Sequence, residues 1–286
     1  MSQNLKLPAQ PRYIQIESIL GCDAECTFCP QKTIDRKPVV MSEATWRKII
    51  DDTRGLGITY RPFLQNEALI DKRLPDIVRH IKEDPTARAE INTNGSLLDE
   101  KRGAALIEAG IDLVRFSIDA FSRETFAVSR VGLDYDAVVE NANRFIEAAA
   151  RTRGRVVTEV RMIDMESTKH EQRAFLDYWG ARADRALIVP LYHWPWDEGV
   201  EMVRKPCLKM REEMFFYTDG RAVLCCWDIA GRGVIGDVAK ESVLEIWNGE
   251  TRRRYADFLS RGERDKILLC SRCDAYRDRH FDGFDD

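Results

Sequence analysis

The chain has 286 residues, of which 32% are charged and 44% hydrophobic, with a formal net charge of −4. That balance is the one expected of a globular protein with one large α/β domain and a smaller appendage, and it holds no basic excess that would argue for nucleic acid. No apolar run reaches membrane-spanning length, and the opening "MSQNLKLPAQPRY" lacks the apolar core of a signal peptide, so a cytosolic protein without a membrane partner is expected.

Residues 12–20, "RYIQIESIL", alternate like a strand and run directly into "GCDAECTFCP". "MSEATWRKIIDD" then reads as a helix with Ser42 as its N-cap. Short apolar runs at about 59–64, 88–92, 112–117, 155–163 and 186–190 alternate with amphipathic stretches at about 71–83, 97–109, 134–151 and 168–180. Such alternation means parallel strands joined by helical crossovers, an α/β sheet or barrel, with its chemistry at the carboxyl ends of the strands. Cys22, Glu67, Asn94 and Ser117 all fall at or just beyond those ends, on one rim. The pattern breaks after about residue 191. "LYHWPWDEGVEMVRKP" has no clean period and reads as a linker or a substrate-facing loop, while "EMFFYTDGRAVLCC" is a hairpin turning at Asp219-Gly220. Two short helices, "ESVLEIWNG" and "TRRRYADFLSRG", lead to "CSRC" and an acidic tail. The expected division is 1–195 for the barrel and 196–286 for the appendage.

All eight cysteines lie in two groups. In a reducing compartment this clustering points to metal more than to disulfides. The first group is Cys22, Cys26 and Cys29; the second is Cys207, Cys225, Cys226, Cys270 and Cys273. Inert buried thiols would be scattered along the chain instead. Zinc normally closes with four ligands, and no fourth stands near the first triplet. An iron–sulfur cluster held by three thiolates keeps one iron open.

C-x3-C-x2-C beyond a first strand, ahead of a strand–helix alternation, resembles the radical S-adenosylmethionine (SAM) enzymes. The resemblance covers most of the chain and implies a partial (β/α)6 radical SAM barrel. By it, the three thiolates hold a [4Fe–4S] cluster whose open iron takes the amino and carboxylate groups of SAM. An electron from the cluster then cleaves SAM to a 5′-deoxyadenosyl radical, which removes hydrogen from unactivated carbon. Phe28 matches the family's aromatic near the adenine, although it could equally be a core side chain. "QNEALID" stands where the family has Gly-Gly-Glu-Pro, and its Glu67 aligns with the acid that accepts from the SAM amino group; the flanking glycine and proline are replaced. "NTNGSLL" places Asn94 near the ribose. "FSID" and "SRVG" imply Ser117 and Arg130 at the SAM carboxylate, where a guanidinium pairs well with two oxygens; a surface ion pair is the alternative for Arg130.

Cys207, Cys225, Cys270 and Cys273, spaced C-x17-C-x44-C-x2-C, resemble the C-terminal SPASM and Twitch extensions of that family. The implied extension is a β-hairpin plus helix in which four thiolates ligate a second [4Fe–4S] cluster. Four cysteines could also hold zinc, and the radical SAM context favours iron–sulfur. Cys226 is left over. On the second strand of that hairpin Cys225 and Cys226 point to opposite faces and cannot easily share one cluster corner. Cys226 is then either a small buried thiol beside the cluster or a hydrogen-atom donor to a substrate radical.

Full ligation of the second cluster leaves electron transfer as its role. Hydrogen abstraction at a carbinol carbon, followed by loss of a proton and an electron to that cluster, gives a ketone. Length and cysteine spacing resemble the aminocyclitol and aminoglycoside dehydrogenases of antibiotic pathways. The implied partners are a polar glycoside or aminocyclitol and a reductant such as flavodoxin or ferredoxin. Sugar epimerases, which would use Cys226, are the alternative. Peptide-modifying relatives carry an N-terminal peptide-binding domain, for which the stretch before the first strand is short. Tyr192, His193, Trp194, Trp196, Asp197 and Glu198 form the candidate substrate segment, or merely pack between domains. His193 is the candidate base, or a satisfied structural histidine.

Overall fold

The computed structural model describes residues 7–37, 39–194 and 207–273. Its first strand, β1 (Tyr13–Ile16), is buried throughout. Ser42 caps α1 (Glu43–Asp51) by accepting from Thr45 N, satisfying one of the donors that a helix start leaves open. There follow β2 (Thr59–Arg61), α2 (Leu74–Ile81), β3 (Arg88–Thr93), α3 (Glu100–Ala109), β4 (Leu113–Ser117), α4 (Arg123–Ser129), α5 (Tyr135–Ala150), β5 (Val157–Asp164), α6 (Gln172–Gly180) and β6 (Arg185–Pro190). β1 to β6 pair in sequence order and every pair is parallel. This is the α/β architecture that the alternation predicts. The helix α4 was not expected: seven residues are too few to show a period, and only its Ser122 cap marks it.

The appendage joins the same sheet. After α7 (Leu208–Glu212), β7 (Glu213–Phe216) pairs parallel with β1, placing Tyr13 opposite Glu213 and Ile16 opposite Phe216. The expected hairpin is present as β7 and β8 (Arg221–Val223), and Gly220 supplies the positive φ of 86° at its turn. A third strand, β9 (Val234–Asp237), pairs antiparallel with β8 and completes a nine-stranded sheet. Its Gly236 is a position of close approach, because a Cβ there would lie 2.5 Å from Ile246 Cγ2 in α8 (Val243–Trp247). α9 (Glu250–Ser260) and two 3-10 turns then lead to the last cysteines. No helix among the described residues is long and apolar enough to cross a membrane.

Alternation along the strands sorts the two faces of the sheet. Ile14, Ile16, Ala89, Ile91, Val114, Phe116, Val160 and Met162 pack against the helices in one core with Trp46, Ile77, Leu106 and Trp179. The residues between them, Gln15, Arg61, Glu90, Asn92, Arg115, Ser117, Glu159 and Arg161, belong to the other face. There Glu90 bridges Arg61 at 3.1 Å and Arg115 at 3.0 Å, and Arg115 reaches Glu159 at 3.3 Å, all of them buried. A chain of buried ion pairs therefore fills the inner face deep in the sheet. Asn92, Ser117 and Arg161 lie toward the carboxyl ends of their strands.

Candidate active site

The loop that carries Cys22, Cys26 and Cys29 is held by three backbone bonds to two other segments. Glu25 N donates to Val131 O at 2.8 Å, Thr27 N to Ser129 O at 3.2 Å, and Glu67 N to Gly21 O at 3.0 Å. Cys22 and Cys26 are half-buried and Cys29 is exposed. Burial pushes the Cys22 thiol up to about 12, and burial also raises Cys29. A bound iron centre reverses that preference, because a coordinating thiol is deprotonated. Among the described residues no three His, Cys, Asp or Glu side chains converge as ligands of a single ion. Sulfurs on separate corners of an iron–sulfur cube need no such convergence, so the donor set fits a cluster.

Around this loop the structure assembles the other residues singled out in the sequence. Glu67 is buried. Its Oε1 accepts from Thr93 Oγ1 at 2.7 Å and from Leu69 N at 3.0 Å, and its Oε2 accepts from Asn94 N at 2.8 Å. Burial outweighs these donors and pushes its carboxyl up to about 7. Asn94 is engaged at both ends of its amide, donating to Asp23 Oδ1 at 2.8 Å and accepting from Ser96 N at 2.9 Å. It thereby ties the end of β3 to the cysteine loop. Ser117 is the last residue of β4.

Arg130 lies against Cys26, its Nη1 donating to Sγ at 3.5 Å, while Nη2 is bonded to Asp119. Its guanidinium stands 5.3 Å from the Phe28 ring, and its buried Nε has no partner among the described residues. Burial works against this charge, but Asp119 and Cys26 outweigh it and keep the guanidinium cationic.

The second group is built differently. Cys207, Cys270 and Cys273 are buried, and the thiols of Cys225 and Cys270 both feel Cys207 and Cys273. The four are thus drawn from a helix start, a turn and the final 3-10 segment into one place. Trp227 N donates to Cys225 Sγ at 3.5 Å. Arg264, fully buried, donates Nε to Cys270 O at 3.1 Å and Nη2 to Cys273 O at 3.3 Å. One expectation is corrected here. β8 ends at Val223, so Cys225 and Cys226 lie in a turn and strand alternation does not separate them. The neighbouring Cys226 thiol, together with burial, raises Cys225.

A cavity of about 320 Å³ opens at the carboxyl ends of the strands and touches both groups. Cys29, Ser117 and Arg130 line one side, and Cys226 and Trp227 the other. Trp194 packs on Trp227 with ring centroids 4.2 Å apart and donates Nε1 to Phe28 O at 3.2 Å, spanning the cavity from group to group. Tyr192 and Trp194 lie on its wall and His193 does not; Trp196, Asp197 and Glu198 fall outside the described residues. Sequence reasoning missed Asn92, Asp119 and Arg161 on this wall. Asn92 and Arg161 could have been found by strand parity, each standing two residues from a charged inner-face residue.

The sequence model of the Radical SAM superfamily matches residues 16–168, and that of the SPASM iron–sulfur cluster-binding domain matches residues 207–274. A GTP 3′,8-cyclase of Chlorobaculum tepidum is 32% identical over 115 residues, which is 40% of this chain and 34% of that protein. The chain therefore spans about a third of that relative's length. Among solved structures, BtrN in complex with AdoMet and 2-DOIA is 19% identical with a TM-score of 0.66 over 92% of each chain. SuiB of Streptococcus suis, bound to precursor peptide SuiA, is 12% identical with a TM-score of 0.72 over 93% of this chain and 72% of that one. At these identities the likeness is one of fold.

Proposed function

The chain belongs to the radical SAM superfamily, and on that premise we propose that it is a dehydrogenase that oxidises a carbinol carbon of a small polar substrate (a glycoside, aminoglycoside or aminocyclitol) to a ketone. Its cofactors are SAM, a [4Fe–4S] cluster and auxiliary iron–sulfur in the SPASM region. The observation that carries the proposal is the cavity lined by Cys29 of the first group and by Cys226, the neighbour of Cys225 in the second. Oxidation of an alcohol removes a hydrogen atom and then a proton and a further electron, and a substrate in this cavity lies beside Cys29 of the first centre and beside Cys226, next in the chain to Cys225 of the second. When bound, the first cluster and SAM supply hydrogen-atom abstraction, and the auxiliary cluster supplies a one-electron sink.

In this reading Cys22, Cys26 and Cys29 hold the first cluster, and Cys207, Cys225, Cys270 and Cys273 hold the second. Glu67 accepts from the SAM amino group, while Ser117 and the unpartnered Nε of Arg130 meet its carboxylate. Phe28 packs near the adenine. Asn94 acts on the ribose side by holding the loop through Asp23. Asn92, Gln65 and Arg161 offer the substrate hydroxyls polar partners on the cavity wall. The Trp194–Trp227 pair keeps water from the reacting carbon. A one-electron donor such as flavodoxin or ferredoxin serves the first cluster. The likeness in fold to BtrN, whose crystal structure holds the small molecule 2-DOIA beside AdoMet, supports the substrate size.

Cys226 favours a second reading. Its place on the cavity wall suits a thiol that returns a hydrogen atom to the opposite face of the substrate carbon, which is epimerisation. Anaerobic incubation with candidate aminocyclitols and glycosides, followed by mass measurement, tests both. Loss of two hydrogens is expected for the dehydrogenase. Unchanged mass with altered retention, abolished by Cys226→Ala while 5′-deoxyadenosine still forms, would transfer the assignment to the epimerase.

A further inference from the structure

We propose that Arg130, clamped by Asp119, donates a hydrogen bond to the sulfur of Cys26 and thereby raises the reduction potential of the first cluster. The proposal rests on the reading of Cys22, Cys26 and Cys29 as its ligands. Asp119 is the anchor. It follows β4 with a φ of 59°, a left-handed conformation that residues other than glycine disfavour. The surroundings hold it there: Oδ1 accepts from Ile163 N on β5 at 2.7 Å, and Oδ2 accepts from Arg130 Nη2.

The arginine is fixed from its other side as well. Its backbone N donates to Phe126 O at 2.7 Å as α4 ends, and the residues beside it, Ser129 and Val131, accept from Thr27 N and Glu25 N of the cysteine loop. The guanidinium and the loop therefore belong to one hydrogen-bonded unit, and the 3.5 Å contact from Nη1 to Cys26 Sγ is a consequence of that framework. The Phe28 ring and burial keep water from competing for the donor. Adding an electron to a cluster makes its thiolate sulfurs more negative, so a cationic donor on one of them stabilises the reduced state. Asp119 is thus a positioning residue, acting on the cluster only through Arg130.

Spectroscopic redox titration of the holoenzyme without SAM reads this directly, the second cluster serving as internal reference. Arg130→Gln is expected to lower the midpoint potential of the first cluster and leave that of the second unchanged. Asp119→Asn keeps the arginine charged but unclamped, and is expected to shift the potential in the same direction by less. An upward shift in Asp119→Asn is the sign of simple charge removal and would overturn the positioning role. An unmoved potential in Arg130→Gln, in protein that still binds its iron, would overturn the proposal alone. Unsubstituted protein without a four-iron cluster on these three cysteines would overturn the functional reading and the proposal with it.

Discussion

The two cysteine groups meet at one cavity but are held by opposite strategies. Cys22, Cys26 and Cys29 sit on one short loop, half-buried or exposed, and backbone bonds to Val131, Ser129 and Glu67 keep that loop in place. The second group gathers Cys207 and Cys270 from distant parts of the chain into an apolar setting with Met210, Leu224, Leu259 and Ile267, and packs Cys273 with Trp227. A centre that must admit a further ligand is built locally and left open. A centre that only moves electrons can be closed into the core, where its ligands also serve as packing. The first group should therefore be removable without unfolding the protein, and the second should not.

The largest effect that follows is on chemistry. Replacing Cys22, Cys26 and Cys29 together by Ala should abolish SAM cleavage and leave about four of about eight iron atoms in anaerobically reconstituted protein. The melting temperature should change little. SAM cleavage that survived would end the radical SAM reading of these residues. Cys270→Ala should do the reverse. It should lose the auxiliary iron and substrate turnover, lower the melting temperature because metal binding at a buried site is coupled to folding, and leave uncoupled SAM cleavage in place. Equal melting temperatures for the two variants would break the contrast. Arg264→Met sharpens it without touching a ligand. The change removes the guanidinium from the carbonyls of Cys270, which keeps Cys273 N at 3.4 Å, and of Cys273, at a cost of roughly 1–3 kcal/mol, and should release auxiliary iron before the first cluster's. Iron counted against denaturant concentration, with each cluster followed by its spectrum, would show the order.

How much of this was legible in the sequence follows the same division. A local site leaves a local signal: the triplet of cysteines, the strand–helix alternation and the rim of Glu67, Asn94 and Ser117 could all be read from short windows. The second group was legible only as spacing. The pairing of β7 with β1 joins residues 213–216 to 13–16, and no window of sequence contains that contact. β9 carries a glycine that a strand pattern counts against, and it is there because Ile246 packs against its backbone. The Cys225–Cys226 turn was misread because alternation was extended two residues past the end of β8. The grip of Asp119 on Arg130 rests on a single left-handed residue, which an aspartate does not announce.

The smallest expected effect separates the groups by pH. Glu67 is titratable near neutrality because burial raises its carboxyl from an ordinary 4.5 to about 7, despite the donors Thr93 Oγ1, Asn94 N and Leu69 N. The sign follows from linkage. The fold favours the protonated acid, so this residue's contribution to stability is complete below about 4.5 and is lost as the pH rises through about 7. The amino group of SAM reverses the preference, since its N–H donors need the carboxylate as acceptor. Raising the pH from 6 to 8 takes a carboxyl of that pKa from about a tenth to about nine tenths ionised, so SAM affinity should rise about tenfold across that interval. Glu67→Gln should bind more weakly and show no such rise. The iron of the second group should stay constant over the same range. Anaerobic binding titrations at three pH values would decide, and a flat profile in the unsubstituted protein would remove Glu67 from the SAM site while leaving the thiol assignments standing.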